Sequence, residues 1–234
     1  MSKKNEIPPE FGYFALIIAR IFRVLQYFPP QCFIGSRVKA FKDTDFNKLT
    51  PKQRKDVTIK RARKIDLYMI VWLLVEIAGL LIAASDLSNY LIVEYSLLIL
   101  VSLRLIDIVQ VNVNLSLFDV IRVGRSSNYM ASVIRTIINV IINYFEILLC
   151  FTIIYIFNID SLKGGDDWID ALYFSSVTQV TLGFGEIFPE GAMKLISILQ
   201  LLLGFFFTAL IIGRFISLLP QSRTIAKDGE SDDM

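Results

Sequence analysis

Four apolar stretches, residues 65–84, 90 to about 113, 133–157 and 192–219, are each long enough to cross a bilayer. A hydrocarbon core needs roughly 20 apolar residues in helical form. No water reaches that core, so backbone amides must pair internally, and runs of this length do so as helices. An all-α membrane protein with four transmembrane helices is expected. One further segment breaks the pattern. Residues 168–180 would extend only about 20 Å as a helix, too short to span, so they should be re-entrant or buried. Thr181-Leu182-Gly183-Phe184-Gly185-Glu186 follows directly. Two nearby glycines imply backbone conformations that side chains forbid. Non-helical backbone at membrane depth is tolerated only where protein buries it or where it lines a water-filled path. These residues therefore point to a lining of carbonyl oxygens.

Composition agrees and excludes several alternatives. The 234 residues are 54% hydrophobic, with a mean hydropathy of +0.57, too apolar for an ordinary soluble domain. A net charge of +2 gives no general attraction to nucleic acid, and none is expected as a partner. Histidine is absent, which removes the commonest general base and metal ligand. No nucleotide-binding glycine loop, metal cluster or catalytic dyad appears, so an enzyme is not expected. Cys32 and Cys150 do not suggest a disulfide framework. Residues 11–28 carry Arg20 and Arg23 mid-run and lead into Pro29-Pro30, unlike a cleavable signal peptide.

Basic residues orient the spans. Lys52, Arg54, Lys55, Lys60, Arg61, Arg63 and Lys64 flank the first span, and Arg122, Arg125 and Arg135 lie around the loop between the second and third. Both sides should be cytoplasmic, which places both termini in the cytoplasm of a multi-pass cell-membrane protein. The expected organisation is an N-terminal cytoplasmic or interfacial segment (1–64), a two-helix membrane domain (65–113), a cytoplasmic linker (114–134), a third unit (135–219) and a disordered polar tail (220–234). Within the first segment, 11–28 is amphipathic and suits a helix lying in the membrane surface better than one crossing it. The basic run 52–64 anchors topology and could also hold anionic lipid headgroups.

The 135–219 unit carries the most specific pattern. An apolar span is followed by Gly164-Gly165-Asp166-Asp167, then the short 168–180 segment, the Gly-Phe-Gly strand, a turn through Pro189 and a last span. This resembles the pore module of potassium channels, in the pore-loop cation channel superfamily. Ala171-Leu172-Tyr173-Phe174-Ser175 is similar to that family's pore helix with its aromatic pair, and residues 178–186 are similar to its signature sequence. The resemblance implies a potassium-selective channel that conducts passively through a selectivity filter. Potassium ions would sit at the carbonyls of Thr181, Leu182, Gly183 and Phe184, next to Gly185, and at the Thr181 hydroxyl. Carbonyl rings can replace an ion's hydration shell. It also implies a fourfold-symmetric homotetramer, no cofactor beyond the permeant ions, and support for the filter from Trp168, Tyr173, Phe174, Val177, Thr178 and Glu186. Phe184 would point away from the axis and brace the strand against the pore-helix aromatics.

Four positions depart from the family pattern. Leu182 stands for valine, Phe184 for tyrosine and Glu186 for aspartate. Val177 occupies a place where some members carry a glutamate. The network behind the filter must therefore be rearranged, and potassium remains the expected permeant ion. In the last span Gly204 is either a gating hinge or a small residue for close packing. Gly213 reads as packing, and Thr208 either faces the cavity or bonds its own helix. Glu76, Arg104, Asp107 and Glu146 lie within spans, where charge is costly and usually paired. Arg104 and Asp107, three apart, can pair on one helix. Their depths allow Arg104 to reach Glu146 but not Glu76 easily. The alternatives are a poorly selective cation channel, a potassium-uptake transporter subunit and a non-conducting membrane scaffold.

Overall fold

The computed structural model describes residues 50–85, 90–113, 133–183, 185–216 and 218. The amphipathic stretch 11–28, Arg122 and Arg125, Phe184, which is expected to supply an ion-binding carbonyl, and the tail 220–234 lie outside the described residues.

Helix α1, Pro51–Ala83, starts earlier than hydropathy alone implies. Thr50 caps it. Its hydroxyl accepts from the Gln53 amide, and the Gln53 side chain accepts from the Thr50 amide at 3.0 Å. This reciprocal box satisfies two otherwise orphaned donors. Pro51 at the first position loses nothing, because its missing N–H would have had no helical partner. The basic run is thus the first part of the same helix, and apolar character begins at Ala62–Ala83. Lys52, Lys60, Arg63 and Lys64 are exposed there.

Helix α2 is Leu91–Val113 and helix α3 is Val133–Ile156. After α3 a single 3₁₀ turn, Ile159–Ser161, leads into β1, Leu162–Lys163. Helix α4 is Trp168–Gln179, a strand β2 follows at Phe188–Pro189, and helix α5 is Met193–Ile216. Helices α1, α3 and α5 are long and apolar enough to cross a membrane. Helix α2 matches them in length but carries Glu94, Arg104 and Asp107. At 12 residues, α4 is too short to cross.

Helix α3 is the hub, packing against α1, α2, α4 and α5. Half of its apolar window is buried, against less than a quarter for α1 and α5. Its Ile147, Phe151 and Tyr155 form the main core with Phe174 of α4, Phe207 of α5 and Leu162 and Ile187 of the connections. Phe174 meets Tyr155 edge-on, with ring centres 4.9 Å apart. A smaller cluster joins Ala83, Leu97, Val101, Cys150 and Ile153 across α1, α2 and α3. Cys150 is a buried free thiol.

The connections around α4 are tied together. Strands β1 and β2 pair antiparallel, Leu162 opposite Pro189 and Lys163 opposite Phe188. Asp167 caps α4, its carboxylate accepting from the amides of Ile169 at 2.8 Å and Asp170 at 2.9 Å. Both ends of the loop that contains α4 are therefore fixed to the end of α3.

Candidate pore loop

The chain leaves α4 through a Schellman closure. The Leu182 amide donates to the Val177 carbonyl and the Thr181 amide to the Thr178 carbonyl, both at 3.1 Å. This pattern needs a left-handed residue after the cap, usually glycine. Here it is Thr181, at φ +58. Two residues on, Gly183 takes φ +103. Left-handed conformations thus alternate at 181 and 183, the second where only glycine fits without strain. Thr181, Leu182, Gly183, Gly185 and Glu186 are all exposed within the single chain, Leu182 to 78%.

The residues expected to support this loop divide into two groups. Phe174, Val177 and Thr178 are buried on the α3 and α5 side of α4. The Thr178 hydroxyl is buried without a hydrogen-bond partner among the described residues. Trp168 and Tyr173 are exposed instead. The Tyr173 hydroxyl nevertheless lies beside Gly185, 3.6 Å from where a Cβ would stand.

Behind α4 lies a polar network that sequence reasoning missed. Gln200 of α5 is fully buried. Its Nε2 donates to the Ser175 hydroxyl at 2.8 Å, the Ser175 carbonyl at 3.0 Å and Gln179 Oε1 at 3.2 Å. Its Oε1 accepts from the Tyr155 hydroxyl at 2.8 Å. Ser175 Oγ donates to the Leu148 carbonyl at 2.9 Å, and the Tyr144 hydroxyl donates to the Gln179 carbonyl at 3.2 Å. The available signal was a glutamine inside an otherwise apolar span, which is costly there unless partnered.

Gly204 faces the same place. A Cβ on it would stand 2.4 Å from the Gln179 carbonyl oxygen. Close packing against the end of α4 therefore accounts for glycine here. Gly213, expected to be a packing residue, meets nothing within 4 Å among the described residues. Thr208 is exposed, with its side chain near the Tyr144 hydroxyl of α3.

A second polar centre joins α1, α2 and α3. Arg104 Nη2 lies 2.6 Å from Glu146 Oε2 and Nη1 lies 2.7 Å from Asp107 Oδ2. Contrary to the depth argument from sequence, Arg104 Nε also reaches Glu76 Oε1, at 3.5 Å. Depth counted along straight helices ignores tilt, and the long guanidinium stem covers the remaining difference. The Tyr68 hydroxyl donates to Asp107 at 2.8 Å, and the guanidinium also lies over the Tyr68 and Trp72 rings. Lower on α3, Arg135 pairs with Asp66 at 2.7 Å and bonds the Ala62 carbonyl. These contacts fasten α1 and α2 to α3.

No similar curated protein and no similar solved structure was found for the chain. Residues 144–221, from the middle of α3 to beyond α5, match the family model described as an ion channel. That segment of the membrane protein is therefore similar to the ion-channel family, and the helices α1, α3 and α5 are long and apolar enough to hold the chain in a bilayer.

Proposed function

We propose that this chain is one subunit of a potassium-selective channel in which four copies bring their 181–185 loops to a common axis. The supporting observation is the exit from α4. A helix too short to span ends at an exposed loop with left-handed backbone at Thr181 and Gly183. That loop lies within the segment matching the ion-channel family. One chain supplies one such loop, and encircling an ion with carbonyls takes several. Fourfold cyclic symmetry closes such a ring with identical contacts. The C-terminal end of α4 presents the negative end of its dipole near the loop, which favours a cation.

In this reading the carbonyls of Thr181, Leu182, Gly183 and Phe184, with the Thr181 hydroxyl, replace the water lost by potassium. Helix α5 lines the inner cavity, both termini are cytoplasmic, and transport is passive. A hundredfold preference over sodium requires only about 2.8 kcal/mol.

The Thr178 hydroxyl, buried without a partner among the described residues, favours a second reading, a weakly selective monovalent cation channel. Reversal potentials separate the two. Purified protein in a planar bilayer, with potassium on one side and sodium on the other, should reverse near the potassium equilibrium potential. Reversal near zero would establish the weakly selective channel. No current at all would overturn both readings.

A further inference from the structure

We propose that Gln200 is a positioning residue for the selectivity filter, bracing the end of the pore helix α4 against α3 and α5. This inference rests on the pore reading above and adds the residue that keeps its filter selective.

The placement of Gln200 is specific. Ser197, Gln200, Gly204 and Phe207 are the buried residues of α5. Their spacing of three and four puts them on one face of the helix. That face meets α4 and α3, while Leu195, Leu199, Leu202 and Phe205 are exposed around it. Gln200 and Gly204 lie one turn apart on that face and both contact Gln179 at the end of α4. Gly204 lets the backbone of α5 come against the Gln179 carbonyl, and Gln200 bonds Ser175 and the Gln179 side chain.

Chemistry fixes the amide orientation. The NH₂ group faces the Ser175 carbonyl, which can only accept, and the amide oxygen faces the Tyr155 hydroxyl. A flipped amide would set oxygen against oxygen at the Ser175 carbonyl. Through Tyr155 the same amide reaches α3, so three helices meet at one side chain. No water is available at membrane depth to replace these bonds. An apolar residue here would leave the Tyr155 hydroxyl and Gln179 Oε1 without this partner.

The path to the filter is short. Gln179 ends α4, and the Schellman closure runs from Val177 and Thr178 directly to Thr181 and Leu182. Freedom gained by the last turn of α4 passes into the backbone that holds the first ion sites. Ion discrimination depends on that backbone more than assembly does, so selectivity should change before folding does.

The test compares wild type, Gln200→Leu and Tyr155→Phe as purified protein in planar bilayers with opposed potassium and sodium. Reversal potential gives the permeability ratio, and size-exclusion chromatography in detergent checks assembly. Gln200→Leu should assemble and lose about tenfold in potassium over sodium preference, equivalent to about 1.4 kcal/mol. Tyr155→Phe should shift the ratio the same way, and the double variant should be no worse than Gln200→Leu, because both remove one network. A potassium-selective wild type with an unchanged ratio in Gln200→Leu would overturn the inference and leave the pore reading standing. Additive losses in the double variant would also overturn it. A wild type that does not discriminate would instead sink the potassium reading. Should Gln200→Leu fail to assemble, Tyr155→Phe decides, since it removes only a hydroxyl: an unchanged ratio there overturns the inference.

Discussion

Thr181 sits at φ +58, a region that a β-branched side chain resists. Left-handed backbone costs a residue of this kind about 1–2 kcal/mol. Glycine would close the same turn without that cost, as it usually does after a helix. A strained threonine fits a position where the hydroxyl itself is needed, and strain of this sort gathers at functional sites. Thr181→Gly should therefore raise the unfolding temperature of the detergent-solubilised protein while lowering potassium preference in bilayers. A lower unfolding temperature would show that the turn is not strained. Gly204 makes the opposite case. A methyl group there meets a backbone carbonyl at 2.4 Å, and neither the helix nor the carbonyl has a flexible end to move aside. Gly204→Ala should destabilise the protein by about 1–3 kcal/mol, the usual range for overpacking. Wild-type thermal stability in that variant would mean that α5 does not approach α4 so closely.

At the scale of elements, the short helix α4 owes its place to α3 and α5, while α1 and α2 are held to α3 by charge. Three carboxylates, Glu76, Asp107 and Glu146, surround the single guanidinium of Arg104, and all four side chains are almost fully buried. Removing one partner of a buried ion pair commonly costs about 3–5 kcal/mol, because it strands the other charge. Arg104→Met strands up to three acids and should abolish a stable fold in detergent, read as early thermal aggregation. Glu76→Gln should be tolerated far better, because its 3.5 Å contact is the longest of the three. Equal losses in the two variants would contradict this ordering.

The sequence revealed these elements unevenly, for physical reasons. Bilayer thickness imposes a length on any span, so the bounds of the long helices and of the short α4 were readable to within a few residues, while only α1, α3 and α5 of the four expected spans are long and apolar enough to cross. The early start of α1 was not, since the basic run is good helix sequence without hydropathy and its start is marked only by the Thr50 and Gln53 box. The two-residue pairing of β1 with β2 is too short to leave a pattern. At the site, the glycine spacing marked the loop itself. The contacts behind it depend on how α5 is rotated about its axis, which hydropathy does not encode. Hydropathy therefore does not single out Gln200, and depths along straight helices do not bring Glu76 easily to Arg104.

The whole molecule is lopsided as a single chain. Its α3 core is well packed, yet the 181–185 loop and much of α5 are exposed. Such a surface is consistent with a fourfold assembly in which the loop of each copy faces three others. Helices α1 and α2 pack against α3, and Glu146 ties their charge cluster to it. Residues 144 and 148 of α3 bond α4, while Glu146 between them bonds Arg104. An electron-microscopy map of the full chain, purified in potassium chloride, tests this arrangement most directly. It should show four subunits, with ion density on the symmetry axis flanked by the main chain of residues 181–184. A map in which that loop lies away from the axis, or faces lipid, would contradict the central claim.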